Sequence, residues 1–308
     1  MNGPRTAVVV VSYGSHAMLA ANLPADVVTA LGARVVVVDN FSTSGERAAM
    51  RALAAVQGWD LLTPAENLGF GRGMNLGVSH ALDQGADVAL LVNPDLRADA
   101  ATLAALAETV RTDPRLMVSP RVVHPDGQVW FAGGEVRVCE GRTFTAGADS
   151  TAATGWLSGA CLAVGTDLWQ TTGGFDDDYF LYWEDVDLSW RWREAGGRLE
   201  VRDDLTVVHD VGGTQGAGKS ATYLRYNARN RLVFAAKHLS AGDQARWAAS
   251  SLRYGRLLLR RAGLGRRDLW NAGSAVRAVA AGTVAGLFFP LADAARRRTR
   301  VGGVRPGS

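Results

Sequence analysis

Three runs of β-branched residues near the start of the chain limit its fold more than any other feature. Val8–Ser12, Val35–Asp39 and Val88–Val92 are apolar along both faces, as a strand must be when it is covered on both sides. Between them lie stretches with helical spacing, roughly 17–31, 45–56 and 72–82, and Thr43 and Ser44 are suited to cap the second. Strands alternating with helices over the first 120 residues predict βαβ units and an α/β fold with a mostly parallel central sheet. In such sheets ligands bind beyond the carboxyl ends of the strands. The residues that follow each run are therefore the informative ones: Ser12-Tyr13-Gly14, Asp39-Asn40 and Asn93-Pro94-Asp95. Taken singly each is an ordinary turn or cap, but their recurrence at successive strand ends points to a binding site.

The rest of the chain is organised differently. Residues 121–155 are rich in glycine and polar residues and predict a loop or small hairpin around Val129–Phe131. Residues 222–238, 243–261 and 268–287 predict basic helices. Among 308 residues, 47% are hydrophobic, enough for one large α/β core with an appended segment. We divide the chain into an α/β domain, 1–240, and a basic helical extension, 241–308. Residues 219–308 carry 18 Lys/Arg against 3 Asp/Glu, a net of +15; the other residues carry 15 against 27, a net of −12. The acidic part suits a cation and the basic part an anionic surface. Nucleic acid is not the expected partner, because residues 219–308 have neither zinc-finger spacing nor an RNA-binding aromatic signature. Cys139 and Cys161 form no metal or disulfide pattern. Val8–Val11 lacks the flanks of a leader peptide, so a cytoplasmic location is expected.

Three segments carry chemistry. Asp95, at a strand end, is a carboxylate able to hold a hard divalent cation, and a cation also held by a diphosphate needs only one or two protein ligands. His209, after the strand-like Thr206-Val207-Val208, is a second candidate ligand, against the ordinary reading of a surface or core histidine. In Tyr182-Trp183-Glu184-Asp185-Val186-Asp187, acids open a helix, where the helix dipole favours them. The flanking aromatics would desolvate Glu184 or Asp185 and raise its basicity, as a general base requires. Finally, Gly69, Gly71, Gly73 and Gly77 surround Arg72 and suggest close approach of backbone to an anion, although they fit neither the dinucleotide fingerprint nor a phosphate loop.

In this order the motifs resemble the family 2 inverting glycosyltransferases, and within them the bacterial rhamnosyltransferase-like group, over roughly residues 5–240. The resemblance rests on Ser12-Tyr13, Val38-Asp39-Asn40-x-Ser42, Glu66 through Gly71 with Asn75, Asn93-Pro94-Asp95 and Gly155 through Cys161. It continues with Gly173-Gly174-Phe175-Asp176, Tyr179 through Leu188, His209-x-x-Gly212-Gly213 and Tyr226-x-x-Arg229-Asn230-Arg231. It implies a GT-A, Rossmann-like fold. It also implies a donor pocket formed by Ser12, Tyr13, Asp39, Asn67, Asn75, Asn93 and Asp95. Asp95 matches the last acid of the family's Asp-x-Asp motif, with Asn93 where the first acid often stands. His209 joins Asp95 at a Mn²⁺ or Mg²⁺ site, Asp185 or its neighbour Glu184 is the base, and Trp156 and Asp176 lie toward the acceptor. The implied reaction is a single displacement with inversion, from a dTDP- or UDP-sugar. The group often moves L-rhamnose from dTDP-β-L-rhamnose onto glycans linked to polyprenyl diphosphate at the inner membrane face; a UDP-hexose or UDP-galactofuranose is the alternative donor.

Two other classes compete. A nucleotidylyltransferase of this fold needs a basic loop near its start, and residues 12–24 contain no Lys or Arg. A non-catalytic scaffold would have lost Asp95, Asp185 and His209, and all three are present. In the extension, Val279–Leu291 is apolar but shorter than the ~20 residues of a spanning helix. With Arg296, Arg297, Arg298 and Arg300 behind it, it predicts either a peripheral helix at an anionic membrane surface or an ordinary packed helix followed by a solvated basic tail.

Overall fold

The computed structural model describes residues 5–145, 155–210, 219–263 and 273–293, and these fall into two compact units. The first comprises described residues within Met1–Val136 and Thr143–Gly216, the second those within Arg137–Arg142 and Ala217–Ser308.

The first unit begins as the valine runs predict. β1 (Thr6–Ser12) is followed by α1 (His16–Asn22), α2 (Ala25–Leu31) and β2 (Arg34–Asp39). The single helix expected over 17–31 is two, because Pro24 has no N–H to donate and becomes the N-cap of α2. Next come α3 (Ser44–Gln57), β3 (Asp60–Leu62), α4 (Phe70–Asp83), β4 (Val88–Val92), the two-residue β5 (Leu96–Arg97) and α5 (Ala100–Thr112). Thr43 caps α3 by accepting a hydrogen bond from the Glu46 N–H. β6 (Leu116–Val123), β7 (Val129–Phe131), the hairpin β8 (Gly134–Arg137) and β9 (Arg142–Thr145), β10 (Cys161–Gly165), α6 (Thr166–Thr172), α7 (Glu184–Glu194) and β11 (Arg198–His209) complete the series.

One sheet runs in the order β3-β2-β1-β4-β10-β6-β11-β5, with β7 on β6. Its first half, β3-β2-β1-β4, is parallel as expected, and β6 pairs parallel with β11. β10 runs antiparallel to both β4 and β6. The sheet is thus mixed beyond β4, and the reversal puts the beginning of β10 beside the carboxyl end of β4. Val8, Val36, Leu90 and Leu162 are fully buried in one core.

The glycines of α4 have a packing role. A Cβ on Gly77 would collide with Val9 of β1 and press on Val38 of β2, and one on Gly73 would meet Val11. At Gly73 and Gly77 the close backbone approach is made to the sheet.

The second unit is helical. α8 (Ala221–His238), α9 (Ala241–Ala249), α10 (Ser251–Arg261) and α11 (Gly273–Leu287) surround a small core of Leu224, Ala228, Tyr254, Leu258, Leu259 and Val279. α8, on the α/β side of the division at 240, packs inside this unit. Arg231, from the motif Tyr226-x-x-Arg229-Asn230-Arg231, is 1% exposed and donates to the carbonyls of Gly141 and Trp247, each at 2.6 Å. Its burial pushes the guanidinium down to about 10. Among the described residues, no helix is long and apolar enough to cross a membrane.

Replacing Gly77 by Ala should destabilise the protein by about 1–3 kcal/mol through overpacking, despite the gain in helix propensity. Gly45→Ala, where only Thr43 Oγ1 comes within 4.0 Å, should leave stability unchanged or slightly raised. Urea unfolding of the two variants checks this.

Candidate active site

The site is assembled from strand ends. At the end of β1, Ser12 is buried and shares a 2.8 Å hydrogen bond with Ser15, whereas Tyr13 stands 56% exposed. At the end of β2, Asp39 is buried against Arg47, whose Nε donates to Oδ2 at 2.5 Å. Arg47 also donates to the carbonyls of Asp39 and Pro64. Asn40 links β2 to the loop before α4: its Oδ1 accepts from Leu68 N–H at 2.7 Å, and its Nδ2 donates to the Gly69 carbonyl at 2.9 Å. Asn67 closes the same loop by accepting from the Gly69 N–H. Arg47 and Asn40 were not among the predicted site residues, although Asn40 lies within a quoted motif.

Beyond β4, Asp95 meets His209 at the end of β11, because β5 pairs antiparallel with β11 and sets His209 opposite Leu96. Asp95 Oδ1 and His209 Nε2 are 2.9 Å apart, yet they are not oriented as a hydrogen bond. Both atoms, and His209 Nδ1, are buried without a hydrogen-bond partner. Each such atom costs about 1–3 kcal/mol. The indole of Trp130 packs edge-on to the imidazole, with ring centroids 4.5 Å apart. A carboxylate oxygen and an imidazole nitrogen, desolvated and unsatisfied, fit a divalent cation. No cluster of three or more His, Cys, Asp or Glu suited to a metal occurs among the described residues, so a cation here would take further ligands from elsewhere.

The acidic segment opens α7 as expected. Tyr182 and Trp183 both have left-handed backbone, with φ of 66° and 74°. For bulky residues this costs on the order of 1–3 kcal/mol each and occurs where surrounding structure fixes the conformation. The next two residues are the acids. Asp185 Oδ2 accepts from the Gly159 N–H at 3.2 Å, and Oδ1 from the Val186 N–H at 2.9 Å. Burial pushes the Asp185 carboxyl up to about 6, against the pull of these two N–H groups. Glu184 is more deeply buried and its Oε2 has no hydrogen-bond partner. Burial first, then the neighbouring Asp185 charge, drive it well above the usual carboxylate range. Of the two, Asp185 is the one whose carboxylate is held by backbone N–H groups, while the Glu184 Oε2 is buried without a partner.

A single connection links Asp185 to the end of β4. Gly159 N–H holds Asp185, and the carbonyl of the next residue, Ala160, accepts from Asn93 N–H at 2.9 Å. Gly159 is tight, since a Cβ there would meet Phe70 at 3.0 Å and Asp185 Cβ at 3.7 Å.

Other predicted residues serve the surrounding loops. Asn75 uses both amide atoms on the backbone of Phe175, at 2.7 and 2.9 Å. Asp187 is fully buried and binds Arg191, which also donates to the carbonyls of Thr172 and Gly174. Together these bonds pin the Gly173–Gly174 turn between α4 and α7. Asp176 accepts from Asp178 N–H within its own turn. Trp156 is half-buried, donates from Nε1 to the Phe144 carbonyl and packs against Phe131. Gly212 and Gly213 lie outside the described residues.

Residues 8–151 match the sequence model of the family described as glycosyl transferase family 2. The chain carries a family 2 glycosyltransferase domain. It is 28% identical over 244 residues to the N-acetylglucosaminyl-diphospho-decaprenol L-rhamnosyltransferase of Mycobacterium tuberculosis, covering 69% of this chain and 78% of that protein. Its fold matches the mannosyltransferase PcManGT of Pyrobaculum calidifontis, solved with GDP-Man and Mn²⁺. The TM-score is 0.52 at 20% identity, over 99% of this chain and 82% of the other. Residues 1–349 of TarS from S. aureus match with a TM-score of 0.52 at 17% identity, over 89% and 81%. This glycosyltransferase has the GT-A fold.

The raised Asp185 carboxyl has a signed effect on the enzyme's stability. The folded state binds the proton more tightly than the unfolded chain, so stability falls as pH rises from about 4 to about 6 and stays lower above that. Asp185→Asn should flatten this decline and be more stable than the parent near pH 7, by on the order of 1–3 kcal/mol. Urea midpoints across that range test it.

Proposed function

We propose that this glycosyltransferase moves L-rhamnose from dTDP-β-L-rhamnose, with inversion, onto a hydroxyl of a lipid-linked glycan. The observation that carries the mechanism is the state of Asp185. Of the two adjacent acids it is the one held by two backbone N–H groups, its carboxyl is raised to about 6, and it is tied through Gly159–Ala160 to the strand end bearing Asn93 and Asp95. A general base with a pKa just below the working pH combines proton affinity with the correct ionisation. Asp185 takes the proton of the acceptor hydroxyl, whose oxygen attacks the anomeric carbon from the face opposite the leaving diphosphate. Asp95 and His209 would hold a Mn²⁺ or Mg²⁺ beside the donor diphosphate. When bound, the cation supplies charge neutralisation for the leaving group.

On the donor side, Tyr13 offers an exposed ring for the base, and Asp39, fixed by Arg47, lies below it at the end of β2. Asn67 and Asn75 shape the loops around the pocket, and Trp156 and Asp176 are assigned to the acceptor side. Rhamnose and a diphospho-lipid acceptor are supported by the mycobacterial relative, whose name states both.

A peripheral position at an anionic membrane follows from the same acceptor. It is supported by an apolar stripe on the second unit, where Val276, Val284, Leu287, Phe288 and Leu291 are exposed at helical spacing. The basic run Arg296, Arg297, Arg298 and Arg300 lies outside the described residues.

A panel of dTDP-, UDP- and GDP-sugars with and without Mn²⁺, on the parent enzyme and Asp185→Asn, tests this reading. The parent should prefer dTDP-rhamnose in a metal-dependent way. Asp185→Asn should still bind donor and lose transfer by about 10²–10⁴-fold. The parent's kcat/KM should rise with pH through about 6 and then level. Preference for a UDP-hexose or UDP-galactofuranose would discard rhamnose and keep the mechanism. Absence of donor binding would leave a scaffold.

A further inference from the structure

The second unit contains a cavity of about 610 Å³, separate from the residues assigned to sugar transfer. Its wall is largely one face of α10. Arg253, Arg256, Leu257 and Arg260 follow one another at steps of three, one and three, so they share that face, and Arg142 of β9, Glu140, Ser250 and Tyr254 also line the cavity. Leu258 and Leu259 enter the core from the other side of the helix, and Tyr254 borders both core and cavity.

The charge in this cavity is unbalanced. Glu140 is its single lining acid, and its carboxylate already accepts from Arg142 and Arg137. Among the described residues, Arg253, Arg256 and Arg260 have no carboxylate partner, and Arg253 reaches only the Glu140 backbone carbonyl. Three like charges along one helix face repel one another. Arg260 is explained by the favourable field at the helix C-terminus, but Arg253 stands in the first turn, where that field opposes a cation. A solvated basic face would need no concavity. Here the guanidinium groups line a hollow large enough for a small ligand.

Guanidinium groups present planar, paired N–H donors that match phosphate oxygens better than any other common anion site in proteins. We propose that this cavity is a phosphate-binding site. Its ligand is a phosphoryl or diphosphoryl group, gripped by Arg253, Arg256 and Arg260 with Arg142 opposite and Leu257 against the apolar remainder. The group is either the head of a membrane lipid or a soluble phosphate. The inference does not depend on the donor sugar or on Asp185.

The test uses the full chain with Arg256→Glu and Arg260→Glu, both exposed, and with Arg261→Glu, exposed but outside the lining, as the charge-matched control. Two probes are measured: inorganic pyrophosphate by calorimetry, and phosphatidylcholine vesicles with or without phosphatidylglycerol by flotation. The parent should bind pyrophosphate, with affinity reduced at least about tenfold in the two cavity variants and less than about twofold in Arg261→Glu. If phosphatidylglycerol vesicles follow the same order and pyrophosphate displaces them, the source is a lipid head. If pyrophosphate follows it and vesicles do not, the source is a soluble phosphate. Equal loss in all three variants would reduce the site to general positive charge and overturn the proposal. So would binding indifferent to all three, as for pyrophosphate seated only at Asp95 and His209.

Discussion

The reversal of β10 governs the geometry of the active site. A parallel strand in that position would bring its far end to the crevice. Running antiparallel, β10 instead delivers the Ser158–Ala160 turn to the carboxyl end of β4. Two successive residues then act in different directions, the Gly159 N–H toward Asp185 and the Ala160 carbonyl toward Asn93 N–H. Asp185 on α7 and the strand end that leads to Asp95 thus share one short length of backbone. A shift of register in β10 would move both, and the burial that raises the Asp185 carboxyl would change with it.

Around this link, strain and burial are concentrated on the reacting side. Tyr182 and Trp183 hold left-handed backbone, Glu184 keeps an unsatisfied oxygen, and Asp95 and His209 face each other without a hydrogen bond. The costs are offset by unusually complete bonding nearby. Asn75 closes both its amide bonds on Phe175, Arg191 satisfies Asp187 and two carbonyls, and Arg47 satisfies Asp39 and two more. The base and cation site proposed here require such preorganised support.

The parallel half of the sheet was legible because its signal is local. Val8–Ser12, Val35–Asp39 and Val88–Val92 lie within β1, β2 and β4 with little error. Asp95, Asp185 and His209 were reached from strand ends and acid clustering, and resemblance gave their roles. What escaped depends on partners distant in sequence. β6 contains Pro120, which argues against a central strand, and the structure accommodates it with a register irregularity against β11 between Arg202 and Thr206. β5 has only two residues and exists because β11 pairs with it. The packing of α4 on β1 gave its glycines a purpose that spacing alone could not distinguish from anion binding. The arginine face of α10 was visible only as net charge.

The central claim is that Asp95 and His209 form the cation site while Asp185 acts apart from it. Electron paramagnetic resonance of Mn²⁺ titrated into the enzyme with a nucleoside diphosphate tests this without turnover. Binding should be weakened at least about tenfold by Asp95→Asn and by His209→Ala, and left within about twofold by Asp185→Asn. Mn²⁺ binding that survives both Asp95→Asn and His209→Ala, or that is lost in Asp185→Asn, would contradict the account.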